Sequence, residues 1–172
     1  MKLTICFLAL LCSLHSNSQP KQLQPGDTLP AQILSNSHIR TFTNQLIILD
    51  FWATWCGSCI KSFPKVDSLQ QQFKEQLQFI LVSSIPTGDN KTKVDAFFEK
   101  RKQKNGNPWC FTQITDDTLL VSLFPFKSLP RYIWIKQGRL LANTSWRQLT
   151  IANINEAITL PPGKLPSFSN NN

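Results

Sequence analysis

Four consecutive branched apolar residues, Leu46-Ile47-Ile48-Leu49, sit within the segment Gln45 to Trp52 and leave little freedom in how the chain can fold. Such a run has no polar side to offer to water, so it reads as a strand buried on both faces at the centre of a sheet. Past Cys59 the period changes. Val66, Leu69, Phe73 and Leu77 recur at helical spacing, with Lys65, Asp67, Gln70, Gln71, Lys74 and Glu75 opposite them, which predicts a helix with one face on that sheet. Pro64 falls inside it and predicts a bend, because proline removes one hydrogen bond of the helical ladder. Phe79-Ile80-Leu81-Val82 reads as a second buried strand. Strand, helix and strand make a β-α-β unit with the two strands parallel.

The remaining segments extend that unit. Ala31 to Leu34 and Ile39 to Phe42 read as two short edge strands around the turn Ser35-Asn36-Ser37. Asp89 to Lys104 reads as a helix with Val94, Phe97 and Phe98 inward, Trp109 to Ile114 as a strand, and Asp116-Asp117-Thr118 as the opening of a short helix through Phe124. Lys136-Gln137-Gly138 lies between the apolar runs Tyr132 to Ile135 and Arg139 to Ala142, a hairpin signal. Leu149 to Ile158 closes as an amphipathic helix. The prediction is an α/β domain with a mixed sheet. A chain of 172 residues, 41% of them hydrophobic, suffices for one such core. Pro161, Pro162, Pro166 and the three terminal asparagines predict a flexible C-terminal tail over 161–172.

The N-terminus carries an address. Met1-Lys2, the apolar stretch Leu3 to Leu14 and the exit Ser16-Asn17-Ser18 have the order of a secretory signal, so residues 1–18 are predicted to be a signal peptide and the exported chain to begin at Gln19. The apolar stretch is short for a membrane span. Cys12 raises the alternative of a lipid-anchored form, although Leu11 before it is not the small residue that processing prefers. The predicted location is the periplasm or another extracytoplasmic space. The formal charge of +8, from 18 Lys and Arg against 10 Asp and Glu, is scattered apart from a cluster at Lys100, Arg101, Lys102 and Lys104. No aromatic-interleaved basic stripe accompanies it, so nucleic acid is not an expected partner.

Export changes the meaning of the cysteines. Of five, Cys6 and Cys12 leave with the signal, and Cys56, Cys59 and Cys110 remain, an odd number in an oxidising compartment. Cys56 and Cys59 stand where the central strand gives way to the helix. A pair at this spacing suits a redox couple, half of a zinc site or a structural staple. Zinc needs two further ligands, for which only Cys110 and His38 remain as soft candidates, and so tight a staple constrains little of the unfolded chain. At a helix N-terminus the free N–H groups and the dipole favour a thiolate, which makes Cys56 the candidate nucleophile. Cys59, one turn further in, is placed to attack the mixed disulfide and release product. Cys110, between Trp109 and Phe111, reads as a buried inert thiol.

The stretch D-F-W-A-T-W-C-G-S-C at 50–59, the helical Pro64 and Ser128-Leu129-Pro130 ahead of a hairpin resemble the thioredoxin superfamily, especially exported disulfide reductases of the TlpA/ResA type. The similarity runs from about Pro25 to Ile158, which predicts a thioredoxin-like domain at 19–160. The resemblance implies that Trp55 shields the nucleophile, that Asp50 is the buried acid beneath the cysteines, and that Pro130 is a cis-proline facing them. Gly57, Ser58 and Leu129 join Trp55 and Pro130 as expected substrate contacts. On its own terms Pro130 reads as a trans edge-strand proline, Trp52 as a core aromatic and Asp50 as either a strand-end cap or a carboxyl of raised pKa able to accept the Cys59 proton. Two departures stand out: Gly57-Ser58 replaces the Gly-Pro of cytosolic thioredoxin, and Ser62 stands where TlpA/ResA proteins often carry a glutamate.

These readings converge on an extracytoplasmic thiol:disulfide oxidoreductase, a reductant of disulfide-containing proteins, monomeric and without metal. The chemistry sits in protein thiols, so no dissociable cofactor is implied. Electrons must then arrive from a partner, by resemblance a membrane thiol carrier. The alternatives are a peroxiredoxin-like thiol peroxidase, which a peroxide-consumption assay separates, and a metal- or haem-handling thiol chaperone, which metal analysis separates.

Overall fold

Every residue of Leu46–Trp52 is buried, and this strand, β1, is the middle of a five-stranded sheet in the computed structural model, which describes residues 21–42, 44–105 and 109–169. The other elements are α1 (Ala31–Leu34), α2 (Ser37–Arg40), α3 (Gly57–Gln72), β2 (Leu77–Ser84), α4 (Lys91–Asn105), β3 (Thr112–Asp117), α5 (Leu119–Leu123), β4 (Arg131–Lys136), β5 (Arg139–Thr144) and α6 (Ile151–Thr159). The sheet order is β3-β2-β1-β4-β5. β1, β2 and β3 run parallel, and β4 and β5 fold back antiparallel. The hairpin turns at Gln137 and Gly138, whose φ angles of 50° and 71° suit a tight turn matched to strand twist. The outer side of β5 is covered by the lead-in: Gly26 N–H donates to Leu140 O, Leu140 N–H to Asp27 O and Leu29 N–H to Gly138 O.

Alternation along β1 divides the interior in two. Leu46, Ile48 and Trp52 pack with Cys59, Phe63, Val66 and Leu69 of α3, and with Val94 of α4 and Ile154 and Ala157 of α6. Ile47, Leu49 and Phe51 pack with Ile33 of α1, Ile39 of α2, and Leu120 and Leu123 of α5. The first layer is rich in rings: Trp52 meets Phe63, Phe97 and Phe98 at centroid distances of 5.2, 5.2 and 5.5 Å.

Five expectations from the sequence need correction. The two predicted edge strands are single-turn helices: Pro30 precedes α1, and the Asn36 side chain accepts from His38 N–H to start α2. Their inward residues, Ile33 and Ile39, are too few to show a period. The helix expected to carry Leu77 ends at Gln72, and Leu77 already belongs to β2. The strand expected from Trp109 begins at Thr112, and Cys110 is exposed rather than buried. The tail is packed through 169: the Phe168 ring lies 4.8 Å from that of Trp134, and Glu156 accepts from the Ser167 N–H and hydroxyl. Composition hid this, because one buried aromatic can anchor a proline-rich segment. The predicted signal peptide at 1–18 lies outside the described residues. Among the described residues no helix is long and apolar enough to cross a membrane.

Candidate active site

β1 delivers the chain to the rim of the sheet at Trp52, and the backbone turns at Ala53–Cys56 before α3 begins. Cys56 is the N-cap of that helix in extended conformation, and its Sγ accepts the Cys59 backbone N–H at 3.2 Å. The helix therefore points one of its unpaired N-terminal donors at this sulfur, the arrangement that stabilises negative charge once the disulfide is reduced. Ser58 Oγ lies 3.4 Å from the same sulfur. Cys56 and Cys59 form a disulfide with a Cα–Cα distance of 5.3 Å, so the pair closes within the first turn. Cys56 keeps 5% exposure and Cys59 none, which leaves Cys56 as the sulfur a large partner can reach.

Beneath the helix the chemistry is that of a buried acid. Asp50 falls between Ile48 and Trp52 in the alternation of β1, on the face that packs against α3 and holds Cys59. It is fully buried, and neither carboxyl oxygen has a hydrogen-bond partner among the described residues. Desolvation pushes its pKa well above the ordinary aspartate value. Tyr132, its cross-strand neighbour, is itself raised by burial and then by the Asp50 charge, and its hydroxyl lies 3.4 Å from Ser62 Oγ. Ser62 in turn donates to the Cys59 carbonyl at 2.6 Å. A chain of polar groups thus links the β1–β4 ladder to the turn of α3 that bears Cys59.

Trp55 is 66% exposed, and its indole N–H donates to the Thr87 carbonyl at 2.9 Å. Gly57 has open space around it. The Leu129–Pro130 peptide bond is cis, and Pro130 lines a shallow groove with Ser58, Lys61, Ser62 and Trp146. Trp52 is in the core, 1% exposed. Cys110 is not among the residues brought to the site.

Sequence reasoning missed three participants. Asp89, almost fully buried, grips Thr54 by both oxygens: it accepts the Thr54 backbone N–H at 2.6 Å and the Thr54 hydroxyl at 2.7 Å. It holds the turn just ahead of Trp55 and Cys56 from a position 35 residues away, so no local spacing reveals it. Trp146 stands on the connection between β5 and α6, 59% exposed beside the groove. Thr87 fixes the Trp55 ring through a main-chain atom, which no side-chain pattern can announce.

Comparison with known proteins fits this geometry. Residues 32–99 match the family model described as Thioredoxin. The thioredoxin-like protein YneN of Bacillus subtilis is 27% identical over 79 residues, 46% of each chain, and thioredoxin 1 of Synechococcus elongatus is 40% identical over 38 residues, 22% of this chain and 36% of its own length. These matches thus span less than half the length of either relative. Among solved structures, one described as the thiol:disulfide interchange protein DsbE of Chlorobium tepidum has a TM-score of 0.55 at 27% identity, covering 70% of this chain and 84% of its own. The structure of MTB dsbF superposes with a TM-score of 0.56 at 22% identity over 77% of this chain and 98% of its own, a likeness of fold. With a five-stranded mixed sheet flanked by helices and a Cys-x-x-Cys pair at the start of the helix after the central strand, this chain has the thioredoxin-like fold.

Proposed function

We propose that the protein is an extracytoplasmic thiol:disulfide oxidoreductase that reduces disulfides in substrate proteins. The observation that carries this reading is the Cys56 sulfur at the N-cap of α3, accepting the Cys59 N–H and closing a disulfide with the buried Cys59. In the reduced protein the Cys56 thiolate attacks one sulfur of a substrate disulfide. That S–S bond breaks, a mixed disulfide forms, and the departing substrate thiolate takes a proton. Cys59 then loses its proton and attacks the Cys56 sulfur. The mixed disulfide breaks, the second substrate thiol leaves, and two electrons have passed from the protein to the substrate. Asp50, of raised pKa on the same side of β1 as Cys59, is the base for that second proton. Trp55, Gly57, Ser58, Leu129 and Pro130 contact the substrate. A membrane dithiol carrier returns the electrons, and the protein acts as a monomer. The signal-like residues 1–18 support export.

Variants of the two cysteines test the order of events. Cys59→Ser is expected to attack a disulfide substrate and remain joined to it as a complex visible on a non-reducing gel, whereas Cys56→Ser is expected to do neither. Trapping by Cys56→Ser alone would reverse the roles. Equilibration with glutathione tests the direction of flow: a potential near about −270 mV supports a reductase, and one near about −120 mV an oxidant.

A further inference from the structure

Two large apolar side chains stand out from the surface near the sulfur pair, Trp55 at 66% and Trp146 at 59% exposure. They differ in one respect. The indole N–H of Trp55 is tied to Thr87, whereas Trp146 flanks a groove whose other walls are Ser58, Lys61, Ser62 and Pro130. The exposed surface of this groove is almost wholly apolar. It begins at Ser58, whose hydroxyl touches the Cys56 sulfur, so a chain bound along it presents its own sulfur to Cys56. Its charge has one sign. Lys61 lines it, Arg147 lies 5.4 Å from the Trp146 ring, both are exposed, and no acid occurs among the lining residues or in the first turn of α3.

Resting on the reading under Proposed function, we infer that this groove selects its substrate: an extended polypeptide segment with an apolar side chain next to its disulfide cysteine and acidic residues flanking it. The apolar side chain covers Trp146 and Pro130. The acidic residues meet Lys61 and Arg147, speeding encounter by charge complementarity and fixing the direction in which the segment lies. Such attraction between exposed charges weakens as salt is added.

The test uses the full reduced protein and three oxidised probes: hydroxyethyl disulfide, a peptide disulfide with phenylalanine beside cysteine and two flanking glutamates, and the same peptide with two lysines. The glutamate peptide is expected to be reduced about tenfold faster than the lysine peptide at low ionic strength, and the ratio to approach one in high salt. Lys61→Glu combined with Arg147→Glu is expected to invert the preference, and Trp146→Ala to slow the glutamate peptide. Equal rates for both peptides at low salt, or a preference that survives the double charge reversal, overturns the inference while leaving the oxidoreductase reading intact. Failure of the wild-type protein to reduce hydroxyethyl disulfide overturns that reading and this one with it. A dimer in sedimentation that hides Trp146 from a fluorescence quencher also overturns it, since the occupant is then a second copy of the chain.

Discussion

The two sides of β1 are equally dry and differ in one atom class. Toward α1, α2 and α5 it presents Ile47, Leu49 and Phe51, three side chains with no polar atom. Toward α3 it presents Leu46, Ile48 and Trp52 but also Asp50, whose carboxyl has no hydrogen-bond partner among the described residues. A buried polar group without a hydrogen bond costs roughly 1–3 kcal/mol in proteins, and a charged one more, so the second side is the less stable solution. One strand thus presents a wholly apolar face to one layer and a buried acid to the other. Burial alone does not separate the two faces of the strand; the carboxyl of Asp50 does.

The comparison can be broken by substitutions on either side. The largest effect is expected from Asp50→Asn, which cannot take the Cys59 proton: release from the mixed disulfide should slow by about 10²–10⁴-fold while the first attack by Cys56 is kept, as read by stopped-flow. Unchanged release would make Asp50 a structural residue only. Next comes Phe51→Ala on the opposite side. Its ring is fully buried and lies 5.2 Å from that of Phe126, so the loss is expected at about 3–5 kcal/mol in urea unfolding, with no change in how stability varies with pH. A third, smaller effect sharpens the contrast. Because the Asp50 pKa is raised in the folded protein, the folded state holds a proton that the unfolded chain gives up above about pH 4. Stability should therefore fall as pH rises from there to the raised native value, by up to about 1.4 kcal/mol per pH unit, and Asp50→Asn should flatten that slope. If Asp50→Asn lowers stability equally at every pH, the carboxyl is not carrying the cost assigned to it. The smallest effect is expected from Cys110→Ser: exposed and outside the disulfide, it should change stability by less than about 0.5 kcal/mol and leave turnover intact.

How much of this was legible in the sequence follows from the range of each signal. The buried strand, the helix after the cysteines, the hairpin and the closing helix are written in local periodicity, and all are found, although the helix after the cysteines stops at Gln72, short of Leu77. Cys56 and Cys59 were legible for the same reason, since a strand-to-helix switch places them at a helix start. Asp50 was ambiguous until its side of β1 was known, and the cis bond before Pro130 could be anticipated only from the family. What stayed hidden depends on contacts between distant segments. Asp89 reaches Thr54 across 35 positions, and Phe168 reaches Trp134 across the end of α6. Single-turn helices such as α1 and α2 are too short to display a period, so their apolar residues pass for strand.

The grip of Asp89 on Thr54 bears on transplantation. The segment Ala53–Cys59 invites treatment as a cassette, a redox loop to be moved onto another scaffold. It is not self-contained. The Thr54 N–H and hydroxyl end on Asp89, and the Trp55 indole ends on the Thr87 carbonyl, both outside the segment on the connection after β2. A recipient that lacks an acid and a free carbonyl at those places would receive the cysteines without the frame that aims them. The unit to be grafted is two loops from neighbouring parallel strands.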